Sequence, residues 1–224
     1  MMDFITYKDR DEMFRQVAAW LERDLRIVLA TECSATFVVP GGTTPGPVFD
    51  LLCQVQLAWP RVNVMLSDER WLPEADVRSN TRLLSERLLV GRAAQAVYLP
   101  LYAPYDEPEH GLAELSLRLG PHLPVSVLLL GMGADMHTAS LFPGADNLAA
   151  ALAPDAPVLL PMRAPGAPEV RITLSARVLD TAKHKHLLIA GEAKRQALEQ
   201  AQNLSSLQAP VRSVLNHTTV HWAP

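Results

Sequence analysis

The chain has 224 residues, 49% of them hydrophobic and 20% charged, with a formal net charge of −4 at pH 7. Those values fit a soluble globular protein, read here as a single domain over 1–224 with a sizeable core. The acidic excess argues against a general affinity for nucleic acid but leaves room for a local basic pocket that takes a small anion.

Met13, Phe14, Val17, Ala18, Leu21, Leu25, Val28 and Leu29 recur at helical spacing and predict an amphipathic helix over 8–29. A β-rich run over 35–39 stops at Pro40-Gly41-Gly42, and the next helix is predicted over 47–57 with Pro47 in its first turn. A second strand over 62–66 ends at Ser67-Asp68-Glu69-Arg70, and Ser79 or Asn80 caps a helix to 89. A third strand over 96–99, a proline-bearing loop over 101–108 and a helix over 109–119 lead to a fourth strand over 125–130. The Ala- and Pro-rich stretch 146–168 reads as a loop with a short strand or edge element at 158–160. An extended run over 171–174 and a helical turn over 175–179 follow. Then come a buried strand over 186–191, a helix over 192–201 and a last strand over 218–222. Strands alternating with helices predict an α/β fold: three layers, doubly wound, with a mostly parallel sheet and helices on both faces.

The start of the chain lacks a charged segment leading into a long apolar stretch, so no signal peptide is expected. No apolar run approaches the ~20 residues that span a bilayer, so no membrane contact is expected. Cys33 and Cys53 lie in neither a CxxC nor a zinc spacing and read as two buried thiols of a reducing compartment. The expected location is therefore the cytoplasm.

Three strand ends carry the chemistry. The stretch Gly131-Met132-Gly133-Ala134-Asp135-Met136-His137-Thr138-Ala139-Ser140-Leu141-Phe142-Pro143-Gly144 follows a run of strand composition. Ligands of open α/β sheets bind beyond the carboxyl ends of the strands, and glycines there let the backbone approach them. A histidine in that place is one of few groups able to move a proton near neutral pH. Asp135 is placed to orient this loop through local hydrogen bonds.

The turn Gly41-Gly42-Thr43-Thr44-Pro45-Gly46, opening into a helix, offers backbone N–H groups and two hydroxyls to an anion such as phosphate. A plain connecting turn is the alternative. It has neither the P-loop lysine nor the GxGxxG spacing, so ATP and dinucleotides are disfavoured. In Ser67-Asp68-Glu69-Arg70-Trp71, Asp68 and Arg70 are two apart, so an extended backbone points them the same way. Arg70 can hold a phosphate or carboxylate, or Asp68 and Arg70 can simply pair at a strand terminus. Arg171 opens an apolar run, and Lys194 sits in a first helical turn, against the helix dipole, as expected beside a bound anion, with a solvated lysine as the alternative. His110, His122, His184, His186, His217 and His221 form no zinc-like set; His184 and His186 alternate on one strand and read as surface or sheet-face residues.

Together these motifs, with Ser79-Asn80, Glu169-Val170-Arg171-Ile172-Thr173-Leu174 and Gly191-Glu192-Ala193-Lys194, resemble the 6-phosphogluconolactonase family over nearly the whole chain. The resemblance implies the fold shared with glucosamine-6-phosphate deaminase, and a cytoplasmic enzyme of the oxidative pentose phosphate pathway. Such an enzyme opens 6-phosphoglucono-1,5-lactone to 6-phosphogluconate with no metal or cofactor. The family has glycine where Met136 stands, a residue type that permits a positive φ, and an acid where Ala134 stands.

On that reading His137 is the general base that takes a proton from the attacking water. Asp68 joins it as a catalytic residue that binds a sugar hydroxyl or orients Arg70 or His137. Gly41, Gly42, Thr43, Thr44, Arg70, Gly133, Asp135, Arg171 and Lys194 bind substrate, with Arg70, Arg171 and Lys194 the candidates for its phosphate. The backbone turns 41–44 or 131–133, or a basic side chain, stabilise the oxyanion. The absence of a nucleophile elbow favours direct attack by water. Two alternatives stay open: a glucosamine-6-phosphate deaminase or isomerase, and a sugar-phosphate-binding domain without catalysis. The sequence leaves monomer and homo-oligomer undecided.

Overall fold

Seven strands lie side by side and all parallel in the computed structural model, which describes residues 2–165 and 167–224. In chain order the first half contains β1 (Asp3–Thr6), α1 (Arg10–Thr31), β2 (Ala35–Val39), α2 (Gly46–Leu52), β3 (Val62–Leu66), β4 (Asp68–Arg70), α3 (Asn80–Arg87), β5 (Val97–Tyr98) and α4 (Pro108–Leu119). The second contains β6 (Val127–Gly131), α5 (Leu148–Ala151), β7 (Leu159–Met162), β8 (Arg171–Leu174), α6 (Ala176–Asp180), β9 (His184–Ala190), α7 (Glu192–Ala201) and β10 (Thr218–Ala223). The large sheet has the order β1-β10-β9-β6-β2-β3-β5. Every residue of β2 and β3 is buried, as strands covered on both faces require.

Helix α1 begins where Asp9 Oδ1 accepts the N–H of Glu12 at 2.7 Å. Its apolar stripe, Met13, Val17, Leu21, Leu25 and Val28, packs on β2, β6 and β10. Burial of each such side chain stabilises the fold by about 1.5–3 kcal/mol. From β2 the chain builds β3 and β5 on one side, then returns to lay β6 against the other side of β2. That reversal opens a crevice at the carboxyl ends of β2 and β6, where two of the glycine turns emerge.

Several boundaries differ from expectation. Helix α2 ends at Leu52 because Gln54 and Val55 donate to carbonyls only three residues back, and the Trp59 indole takes the Val55 carbonyl. The stretch expected to be loop contains α5, built on three alanines. Strand β1 pairs with β10 at the sheet edge, where its mostly exposed residues gave no apolar pattern. Ser67–Arg70 is more than a strand terminus: β4 crosses into a second, antiparallel sheet of order β4-β8-β7. Cys53 is buried as expected, whereas Cys33 is exposed in the connection after α1.

His186 lies on a face of the sheet rather than at the surface, and both it and His221 are buried because a polar chain on α1 and the sheet receives them. Tyr7 Oη lies 2.8 Å from His221 Nδ1, His221 Nε2 3.0 Å from His186 Nδ1, and His186 Nε2 2.8 Å from Asp24 Oδ2. A carboxylate only accepts, so every donor points one way: Tyr7 to His221, His221 to His186, His186 to Asp24. Burial holds His221 down to about 3, with the neighbouring His186 adding to the effect. Burial alone would raise Asp24, but hydrogen bonds from His186 and Arg23 hold it below the usual carboxylate range.

Candidate active site

A cavity of about 330 Å³ occupies the crevice between β2 and β6. Its lining includes Gly41, Gly42 and Thr44 after β2, Asp68 and Arg70 of β4, Gly133 and His137 after β6, Arg171 of β8, and Lys194 of α7. Nine of the eleven residues singled out from the sequence thus converge. Thr43 stays outside the lining, its carbonyl accepting the Gly46 N–H in the turn. Asp135 is also outside it and reaches the cavity only through His137.

The turn after β6 folds back on itself. The Gly133 N–H donates to the His137 carbonyl, and the His137 ring lies where a Cβ on residue 133 would sit, so only glycine fits. Met136 has φ +68°, the left-handed region that the family's glycine would adopt freely. A side chain there costs about 1–2 kcal/mol, and Val211 N–H to Met136 O at 3.0 Å helps hold the turn. The Met136 side chain packs on the core and does not line the cavity, so the departure strains the backbone without reshaping the pocket.

His137 Nδ1 stands 2.5 Å from Asp135 Oδ1. The carboxylate fixes the proton on Nδ1 and leaves Nε2 with its lone pair. No protein group partners Nε2 among the described residues.

The period of β4 divides its side chains. Asp68 and Arg70 face the cavity, as their spacing predicts, while Glu69 turns away and is fully buried. Glu69 accepts from the N–H groups of Asn80 and Thr81 and from the hydroxyls of Ser79 and Thr81, closing the amino end of α3. Burial pushes its carboxyl up against the pull of these donors. Ser79 is the cap of the two expected, accepting from Thr81 N–H. Asn80 instead reaches the cavity wall, donating to the Asp68 carbonyl at 3.1 Å and filling the space that a Cβ on Gly41 would need.

Asp68 orients neither Arg70 nor His137. Its two oxygens accept from Ser67 Oγ at 2.9 Å and Ser140 Oγ at 2.6 Å, and Oδ2 faces Arg171 Nη1 at 3.8 Å. Arg70 donates to the Arg78 carbonyl instead. The 3.8 Å pair is too long for a hydrogen bond, and Arg171 Nε is buried with no acceptor among the described residues. Lys194 is also without a protein partner there; burial lowers its ammonium, with the nearby charge of Arg10 adding to the effect. The N–H groups of Gly42 and Thr44 donate to no protein group among the described residues. Two cations and a turn of free N–H groups therefore face the same space.

Among the lining residues that the sequence did not single out for chemistry are Asn80 and Phe142. Asn80 carried a signal as part of Ser79-Asn80, but was read only as a helix cap. The Phe142 ring lies 4.4 Å from the His137 ring, centroid to centroid.

A parallel doubly wound sheet with a basic cavity and a lone imidazole at its switch point defines an α/β enzyme that takes a small anionic substrate. The family model for glucosamine-6-phosphate isomerases/6-phosphogluconolactonase matches residues 8–222, and the chain belongs to that family. A 6-phosphogluconolactonase of Pseudomonas aeruginosa (strain PAO1) is 41% identical over 218 residues, covering 95% of this chain and 91% of that one. The crystal structure of a 6-phosphogluconolactonase from Shewanella baltica OS155 matches with a TM-score of 0.96 at 30% identity, covering 100% of this chain and 98% of that one. A monomeric glucosamine-6-phosphate deaminase shares the fold, with a TM-score of 0.81 at 16% identity, covering 99% and 96%.

Proposed function

We propose that this protein hydrolyses 6-phosphoglucono-1,5-lactone to 6-phosphogluconate, the lactone-opening step of the oxidative pentose phosphate pathway, with His137 as general base. The observation that carries the reading is the His137 ring in a cavity that also presents Arg171, Lys194 and the N–H groups of Gly42 and Thr44, which donate to no protein group among the described residues. The names borne by its relatives, 6-phosphogluconolactonase in Pseudomonas aeruginosa and Shewanella baltica, support the same substrate.

A lactone is an activated ester, so the chief need is a base for the attacking water. Nε2 of His137 takes that proton as the water oxygen bonds to C1, and Asp135 stabilises the imidazolium that forms. The ring oxygen then leaves with the proton returned. Water attacks directly: Ser140 is fully buried on Asp68, and neither Cys33 nor Cys53 lines the cavity.

The phosphate lies against Arg171, Lys194 and the N–H groups of Gly42 and Thr44. An anion there relieves the cost of a half-buried ammonium near Arg10. Asp68, gripped by two serines, holds Arg171 in place for it. Gly133 N–H is committed to the His137 carbonyl, which favours the 41–44 turn or a basic side chain for the oxyanion. No helix among the described residues is long and apolar enough to cross a membrane; the proposed cytoplasmic location rests on the metabolic activity named for its relatives.

The test offers the protein fresh lactone and, separately, glucosamine 6-phosphate. Lactone loss well above the spontaneous rate, with no ammonia from the amino sugar, is expected. Ammonia release would move the assignment to the deaminase, and binding of 6-phosphogluconate without turnover of either compound would make the protein a binding domain.

A further inference from the structure

Asp135 is a weak support for a catalytic imidazole. Its side chain is 54% exposed, and that of His137 30% exposed, so water competes for their hydrogen bond. The His137 N–H adds only a long 3.3 Å contact to the same carboxylate. The backbone on either side is in the left-handed region, at Met136 (φ +68°) and Ala139 (φ +49°). Something else has to stop the ring from swinging.

Phe142 supplies that stop. The chain reverses between His137 and Phe142 through a turn in which Leu141 N–H donates to the Thr138 carbonyl at 3.0 Å. Thr138 Oγ1 is tied to the Gly131 carbonyl at the end of β6, and Ser140 is tied to Asp68 and to Thr173 of β8. Leu141 is fully buried. The turn is thus fixed on three sides, and it delivers the Phe142 ring to the face of His137 at 4.4 Å and 39°. The same ring carries the Arg171 guanidinium at 5.2 Å. One aromatic ring therefore neighbours both the base and a cation of the proposed phosphate site, and its π electrons favour the positive charge that His137 gains during the reaction.

We infer that Phe142 is a positioning residue for His137: its ring, set by the 138–141 turn, holds the imidazole so that Nε2 meets the attacking water. The inference rests on the proposed general-base role. It separates Phe142 from the residues that bind substrate, because its effect falls on the chemical step.

The experiment measures kcat and KM on fresh lactone for Phe142→Leu, Phe142→Tyr, His137→Gln and the double variant Phe142→Leu/His137→Gln. Phe142→Leu keeps an apolar side chain of somewhat smaller volume and loses the ring. It should lower kcat about tenfold or more while KM moves less than about threefold, as misplacement of a reacting group does. Phe142→Tyr, which restores the ring, should recover most of that loss. With His137 already replaced, Phe142→Leu should cost almost nothing more. A rise in KM at unchanged kcat would make Phe142 a wall of the substrate site and overturn the inference. So would an equal loss with and without His137, or a tyrosine variant as poor as the leucine one. Full kcat in His137→Gln would instead sink the general-base role itself.

Discussion

Two aspartate–histidine hydrogen bonds, Asp24–His186 and Asp135–His137, do opposite things in this molecule. Asp24–His186 is sealed between α1 and the sheet, with both imidazole nitrogens engaged and the relay closed by His221 and Tyr7. Asp135–His137 stands at the cavity with one nitrogen held and the other free. Both carboxylates fix a tautomer. Only the second leaves a lone pair facing a space where substrate fits. The contrast teaches that an Asp–His pair is chemistry or architecture according to what meets the outer nitrogen.

The contrast can be broken by deleting either carboxylate. Asp24→Ala leaves buried imidazoles without their acceptor and should cost about 3 kcal/mol of stability, read by denaturant unfolding, while kcat of the folded protein holds. A loss of kcat at unchanged stability would place that chain in the reaction.

Lys194→Met probes the other side. KM for the phosphorylated lactone should rise roughly tenfold to a hundredfold. Stability should hold or improve, because the half-buried ammonium lies near Arg10 without a partner among the described residues and its charge is unfavourable until an anion arrives. An unchanged KM would remove Lys194 from the phosphate site.

The buried chain also sets a pH dependence. His221 protonates at about 3 in the folded chain and near the ordinary histidine value when unfolded. The unfolded state therefore binds more protons as pH falls through that interval, and stability drops. Between pH 7.5 and 5.5 the loss should be about 1.4 kcal/mol, and His221→Phe should flatten it. Asp24, held low, adds a further loss below its ordinary value. Stability independent of pH in both proteins would mean that His221 is not held neutral by the fold.

Met136→Gly should have the smallest effect. Relief of the left-handed strain and the added freedom of the unfolded chain nearly cancel, so the change should stay within about 1 kcal/mol, and kcat should not fall. A large loss of kcat would show that the methionine side chain matters to the turn.

What the sequence revealed follows from where its partners lie. Strands β2, β3, β6 and β9 are each dominated by apolar residues, and each ends at glycine or polar residues, so they could be read locally. The alternation in Ser67-Asp68-Glu69-Arg70 placed Asp68 and Arg70 on one face correctly. That this segment is a strand was hidden, because its pairing partner β8 lies about a hundred residues on. Asp24 and His186 are likewise 162 residues apart, so nothing near either histidine announced a buried chain. Phe142 carried no polar group to draw notice, and its role depends on a turn that brings position 142 back to 137.

The most direct test of the account is the turnover of fresh 6-phosphoglucono-1,5-lactone by His137→Gln, corrected for spontaneous opening, beside its unfolding midpoint. The account predicts that kcat falls by about a thousandfold while the midpoint stays where it is, since His137 is a partly exposed base outside the core. A variant that keeps its kcat would contradict it, and the free nitrogen of the cavity histidine would then have no part in opening the lactone.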